Sequence, residues 1–557
     1  MLATLLIWAY SLTIFYLYGY GGLILLKKLF QLQDGIALSF SVIAIIVSAD
    51  LTTLVSFLSL VMPLSGDAAI LILLGGVIIA ISTRPWKNFH FSTYHPLVLI
   101  LLFIVTITVL ENSTHRPTNY DTALYHAQAI HWIESFRAVP GLANIHNRLA
   151  YNSSWLVLVA SLSFAFLGLH SFHLTNSVIT LATMFYFGES FQGLIRKQIT
   201  VSNIVKAILF FLPIYLYASD LSSPGTDLPP ALLIWVITVL ILEKVERQGL
   251  GFDLYSIAIF VLSVFAVTVK LSTLPLCGLA LLMLVQQIWN KDWQLSTILT
   301  GTAVIILLPW LLRNIVLSGY LIFPISQIDV FSFDWKYPLN AITGVREALL
   351  WFNRFPTNTN KYAGLSTTQW LPIWIHLLDR GQKILFLIAL ASPIGFVAYI
   401  FSGANGKLIN SFITASLINY TGIFFWLFTA PTFRFGYAYL LACIILASVP
   451  AILKLANSIN GNPTVVFLPL TIFAILFQFY ILTSTAGLST LSQRVWLPAD
   501  YYPSNVQVCP IGNTTFYCAQ KLGLCNYEAF PCIPKPQANI EMRDSRLQDG
   551  FRMIRTP

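Results

Sequence analysis

The chain has 557 residues, of which 57% are hydrophobic and only 10% charged, with a formal net charge of +9. Soluble domains carry about 25% charged residues, so a soluble globular fold is excluded and a polytopic membrane protein is expected. Part of the positive balance is what cytoplasmic, topology-fixing lysines and arginines produce. No nucleic-acid-binding module or phosphate-cradling glycine loop accompanies it.

About 20 apolar residues suffice to cross the ~30 Å hydrocarbon layer, and such runs recur along most of the chain. Residues 1–26 lack a basic start and a small-residue cleavage site, so they read as a spanning helix that ends at Lys27 and Lys28. Residues 36–56 return, 61–82 cross to Arg84 and Lys87, and 96–110 lead into the first long polar interval, 111–152. Residues 153–169 are apolar. A second full crossing there would put Arg196 and Lys197 on the wrong side, so a helix lying in the membrane interface is expected. Further spans follow at 171–194, 203–219, 228–242, 253–269, 271–288 and 296–316, then a second long loop at 317–382. The last crossings are 384–402, 409–430, 435–455 and 464–484. The expectation is an all-α protein of about fourteen transmembrane helices, with both long loops and the tail from residue 485 on the extracytoplasmic side.

Cys277 and Cys443 lie inside apolar runs and read as core residues, whereas Cys509, Cys518, Cys525 and Cys532 lie in the polar tail. No pair of these has CxxC spacing, which argues against zinc. Two disulfides are expected, in any of three connectivities, and they require an oxidising compartment. The tail is too short for a large core and reads as a small disulfide-held cap.

With this topology, the ionisable groups that do not fix orientation gather at the outer ends of helices: Asp121, Glu134, Asp220, Asp227, Lys270, Arg313 and Arg434. Charged groups near a bilayer are costly and mark function. Asp121 opens a helix over 121–136 whose apolar stripe is Ala129, Trp132, Ile133 and Phe136, with Tyr125 and Gln128 near the Asp121 face. The bland reading is that Asp121 caps this helix, that Asp227 caps the next, and that Lys270 and Arg434 snorkel to the interface. The functional reading is that the cations neutralise a phosphate, which arginine grips with two parallel hydrogen bonds. His126 and His131 are five residues apart, off the spacing that puts two metal ligands on one helical face, so a divalent metal is not favoured.

The segments NYDTALYHAQAIHWIE, TDLPPALLIWV, VKLSTLPL, PWLLRNIVLSGYLIFP and PTFRFGYAYLL occur in this order, and together they resemble the GT-C superfamily of integral-membrane glycosyltransferases. The stretch GLANIHNRLAYNSSW and the cysteine tail ending in GFRMI resemble more closely still a bacterial membrane-protein family without assigned activity. The resemblance implies a GT-C-like core over 96–484, preceded by extra helices at 1–95 and followed by an extracytoplasmic tail at 485–557. It implies an inner-membrane enzyme that moves a sugar from a polyprenyl-(di)phosphate carrier to a glycan, lipid or protein acceptor outside the cytoplasm. Asp121 matches the catalytic aspartate and would be the general base. Tyr125, Asp227, Lys270, Arg313 and Arg434 would bind substrate. One departure is Thr122, where many relatives carry a second acid. The other readings are a flippase or transporter of lipid-linked sugars, which needs polar groups at the bilayer midplane, and a non-catalytic assembly factor.

Overall fold

The computed structural model describes residues 1–30, 38–84, 93–167, 172–248, 251–357, 359–401, 406–458, 464–511, 514–520, 522–535 and 539–554. Lys87 and the end of the expected interfacial segment, 168–169, lie outside the described residues. Thirteen helices among those described are long and apolar enough to cross a membrane. The protein is thus an integral membrane protein, mostly helical.

Each of the fourteen expected spans coincides with a helical stretch. The odd one out is Leu254–Val269, only 16 residues long. At ~1.5 Å per residue it is shorter than a bilayer core, but all of its residues are buried in protein. Its ends are set locally. Asp253 accepts from the Ser256 N–H at 2.8 Å in a capping box, and Lys270 breaks the helix with extended backbone. Pro275 then sits in the first turn of the next helix, Leu274–Trp289, where a missing N–H costs nothing.

Two expectations are refined and one is corrected. The apolar stretch after residue 153 is, as expected, not a full crossing: it forms a short helix, Ser154–Ser161, with every residue buried in protein. Its polar ends make this tolerable inside the bundle: Ser153 Oγ donates to the Val269 carbonyl at 2.8 Å, and Ser154 Oγ bonds Thr268 Oγ1 at 2.6 Å. The helix expected over 121–136 runs without a break from residue 120 to residue 135, with a π-turn at Thr122–His126 inside it. The chain is also not all-α. The tail carries β1 (Val506–Val508), β2 (Tyr517–Ala519) and β3 (Cys532–Ile533) in one sheet, with β1 and β2 antiparallel and β2 and β3 parallel. A second, antiparallel pair is β4 (Ile540–Met542) with β5 (Phe551–Met553). Strands of two or three residues carry no readable alternation. Disulfides and packing define them instead.

Of the three possible connectivities, the structure has Cys509–Cys518 and Cys525–Cys532, each with Cα atoms 5.7 Å apart. The tail does not stand alone. Ile511, Phe516, Ile533, Ile540 and Phe551 share one apolar core with Trp132, Val139, Leu142 and Leu149 of the first long loop. Its attachment is fixed by a buried pair, Arg494 Nη2 to Glu111 Oε1 at 3.0 Å, and by Arg494 Nη1 donating to Thr114 Oγ1 at 2.8 Å. Loop and tail thus form one layer over one end of the bundle.

Candidate functional site

The segment leading into the π-turn is organised by Asn119. Its Oδ1 accepts from the backbone N–H groups of Asp121 at 2.9 Å and Thr122 at 3.3 Å. Its Nδ2 donates to Asp220 Oδ1 at 2.6 Å. That approach needs Gly225. A Cβ there would stand 2.7 Å from Asp220 Oδ1 and 3.2 Å from Asn119 Nδ2. Asn119, not Asp121, therefore satisfies the first N–H groups of the turn. The Asp121 side chain makes no capping hydrogen bond, so the bland reading of it as a helix cap does not hold.

What Asp121 does instead is pair with two arginines. Arg148 Nη1 donates to Oδ1 at 3.1 Å, and Arg434 Nη2 lies 3.0 Å from Oδ2. Arg434 also reaches Asp227 with Nε, 3.5 Å from Oδ2, and Lys270 Nζ pairs with Asp227 Oδ1. Residues far apart in sequence thus form one chain of alternating charge, Arg148–Asp121–Arg434–Asp227–Lys270. The Phe435 ring backs it, with Lys270 Nζ 3.9 Å and the Arg434 guanidinium 4.8 Å from its centre. The elements explain the convergence. Lys270 stands at a helix break, Asp227 just before the Leu228–Gln248 helix, and Arg434 in the first turn of Phe433–Ser458.

The network faces a cavity of about 680 Å³. Asp121 is the one acid among its lining residues, against Lys270 and six arginines: Arg137, Arg148, Arg313, Arg346, Arg354 and Arg434. Tyr125 lines it as expected, but Asp227 stands behind Arg434 and Lys270 rather than in the lining. Arg313 is in the lining but outside the carboxylate network. It donates from Nε to Asn152 Oδ1 at 3.2 Å and from Nη1 to Ser59 Oγ at 2.8 Å, and is 4% exposed. Among the described residues no carboxylate pairs with Arg313, Arg346 or Arg354. Arg354 stacks on Trp370, its guanidinium 4.1 Å from that ring centre, and donates to the Phe428 carbonyl at 3.1 Å. The cavity's other face is apolar, with Leu274, Phe352 and Phe428 partly on the outer surface.

Burial opposes ionisation of Asp121. The His126 ring, once it carries a proton, and the positive charges of Arg434, Arg148 and Lys270 outweigh it, so the carboxyl is held below its ordinary value. Beside it, burial pushes the His126 ring down to about 4, which leaves it neutral. Burial pushes the Tyr151 phenol up to about 12 and Tyr125 well above the ordinary range. Among the described residues no three His, Cys, Asp or Glu side chains are grouped to hold a metal ion.

Sequence reasoning missed Arg148, Asn119, Arg346 and Arg354. Arg148 had one signal, its place in the same polar loop as Asp121. The partnership across 27 positions follows only from how the loop folds back. Trp370 itself is a buried core ring, edge-on to Trp374 at 6.5 Å between centres.

A family model described as "Domain of unknown function (DUF8201)" matches residues 1–441. The chain belongs to the DUF8201 family. No curated protein and no solved structure matches it significantly. The DUF8201 match contains Asp121, Arg148, Asp227, Lys270 and Arg434, and stops before the cysteine tail.

Proposed function

We propose that this chain is a membrane glycosyltransferase of GT-C type, transferring a sugar from a polyprenyl-phosphate or -diphosphate carrier to an extracytoplasmic acceptor. The observation that carries the proposal is the cavity: a single carboxylate, Asp121, set among seven cations and open on its other side to an apolar face. A lipid-linked sugar phosphate has that same division, with an acyl-like tail, an anionic joint and a polar head.

The chemistry is a displacement at the anomeric carbon. The acceptor hydroxyl oxygen forms the new bond, the bond from anomeric carbon to phosphate oxygen breaks, and the lipid phosphate leaves with the electron pair. The hydroxyl proton goes to Asp121. Arg148 and Arg434 hold that carboxylate ionised and aimed into the cavity. Since Lys270 and Arg434 are already paired with acids, much of the charge available to the leaving phosphate comes from Arg313, Arg346 and Arg354. Cations in a water-poor groove stabilise developing negative charge far better than in bulk water. An activated phosphate leaving group needs no protein nucleophile.

An extracytoplasmic site is supported by the disulfides, which sit in the layer that covers the site and need an oxidising compartment. Arg84, Arg196, Lys197 and Lys291 stand at helix ends that alternate with those around the site, as cytoplasmic anchors do. In cells lacking the protein, mass spectrometry of lipid extracts should find a polyprenyl-phosphate-linked sugar accumulating while one surface glycan loses a residue. Unchanged pools of both would contradict the transferase reading and leave the assembly-factor reading in place.

A further inference from the structure

The Asp121 cavity has a neighbour on the tail side. A concavity of about 580 Å³ is lined by Tyr120, Leu124, His146, Arg148, Gln520 and Leu522, with Pro534 and Lys535 at its far wall. His146, Pro534 and Lys535 also line a further hollow of about 270 Å³, which adds Asn144, Asn147 and Tyr337. Arg148 lines both the first of these and the Asp121 cavity. The polypeptide straddles the division in the same way, with Tyr120 in the groove beside Asp121 in the cavity, and Leu124 beside Tyr125.

We propose that this groove, between the first long loop and the disulfide tail, binds the acceptor, that the acceptor is a saccharide, and that its terminal hydroxyl reaches Asp121 past Arg148. The inference rests on the transferase reading above and adds the acceptor's site and class. Three observations support it.

The first is the geometry of displacement. Nucleophile and leaving group must occupy opposite faces of the anomeric carbon, with the reacting atoms about 3–3.5 Å apart. The lipid can approach only from the apolar face, past Leu274, Phe352 and Phe428. The groove shares none of those apolar residues and meets the cavity at Arg148, the partner of Asp121. Arg148 is held to Asp121 by one 3.1 Å contact and is a third exposed, so an incoming hydroxyl can compete for the carboxylate oxygen it holds.

The second is the lining chemistry. Asn144, Asn147, Gln520, Tyr337 and the His146 ring, kept neutral by burial, are neutral donors and acceptors of the kind that match hydroxyls. Tyr120 and Leu522, 52% and 77% exposed, offer apolar faces to the C–H side of a sugar ring. Among the described residues no carboxylate lines either hollow. A peptide chain would need a row of backbone partners, and none of the tail strands lines the hollows along its length.

The third is rigidity. The Cys525 and Asn526 N–H groups both donate to the Ala123 carbonyl, at 3.0 and 2.9 Å. Gln128 Nε2 donates back to the Asn526 and Ala529 carbonyls at 2.9 and 2.8 Å, and Gln128 Oε1 accepts from the Cys532 N–H at 3.0 Å. The Cys525–Cys532 loop is therefore clamped onto the very turn that carries Asp121, which fixes the groove wall relative to the carboxylate.

The test uses the full chain in its native membrane, with a photoreactive benzoylphenylalanine at Leu522 and, as a control, at Val508, which is 65% exposed and lines neither hollow. After irradiation, intact-protein and peptide mass spectrometry should show adducts separated by sugar masses at position 522 and not at 508. Tyr120→Ala should reduce the adduct roughly tenfold, the loss expected for one stacking contact worth about 1.4 kcal/mol. No adduct at 522, or an adduct of peptide or lipid mass, overturns the proposal. If the saccharide adduct forms but lipid-linked sugar pools do not respond to loss of the protein, the groove stands as a saccharide site and the transferase reading falls.

Discussion

Two of the ion-pair networks among the described residues differ in what surrounds them. Lys206 and Glu243 pair at 2.7 Å with both side chains 3% exposed, and the Tyr186 hydroxyl donates to the second Glu243 oxygen at 2.9 Å. Both of its charged side chains are enclosed by protein and neither lines the Asp121 cavity. The Asp121 network has the same ingredients but is 10–42% exposed side chain by side chain, faces a cavity, and stands opposite arginines that no carboxylate pairs with. A buried pair is costly to assemble and costly to break, so a closed one serves the fold. One left open, with positive charge in excess, serves a ligand. Buried charge is therefore not itself the mark of the site. The mark is buried charge that the protein leaves incompletely neutralised beside a space.

Breaking the closed network should have the largest effect on folding. Lys206→Met leaves Glu243 buried with its cation gone and should cost about 3–5 kcal/mol. Adding Glu243→Gln should recover most of that loss. Chemical denaturation in a mild detergent would read both, and a Lys206→Met variant as stable as wild type would show that the pair is not closed after all.

The open region should respond to pH. His126 is 2% exposed, and burial lowers its ring to about 4 from an ordinary 6.5. A group with a lowered folded-state value binds its proton more readily when unfolded. Stability is therefore full above pH 6.5, falls as pH drops, and levels off below about 4, a loss on the order of 3 kcal/mol. Thermal melts between pH 7 and 4 should show this slope in wild type and a shallower one in His126→Gln. Equal slopes would place the pH sensitivity elsewhere. Asp121, also lowered, keeps its charge throughout this window.

A smaller effect is expected at Gly225, where the added methyl of Gly225→Ala must push Asp220 or Asn119 aside. The cost should be about 1–3 kcal/mol, with transfer reduced as well because Asn119 holds the turn that carries Asp121. Unchanged stability and transfer would mean the contact is slack.

Much of this difference between regions could be read in the sequence, for a physical reason. In a chain where only 10% of residues are charged, an ionisable side chain at the end of an apolar run is rare enough to stand out. Asp121, Asp227, Lys270 and Arg434 did so, and the structure brings them together. The helices were legible because a membrane demands length and hydrophobicity, so even the short Leu254–Val269 was found, though not that protein rather than lipid surrounds it. The π-turn was not legible. The stripe Ala129, Trp132, Ile133 and Phe136 is indifferent to one extra residue upstream, which rotates Asp121 relative to Gln128 and sends Gln128 to the tail. Arg148 and the disulfide pairing depend on how loop and tail fold against each other, which no local pattern encodes.

The central claim is that Asp121 is a base, not a structural anion. The most direct measurement is transfer from endogenous lipid-linked sugar in native membrane vesicles, per mole of folded protein, for wild type and Asp121→Asn. Asparagine keeps the shape and its Oδ1 can still accept from one of the two arginines, but its amide nitrogen cannot accept from the other and the side chain cannot take a proton. Transfer should fall roughly 10²–10⁴-fold with the melting temperature little changed. An Asp121→Asn protein that transfers at the wild-type rate would contradict the account.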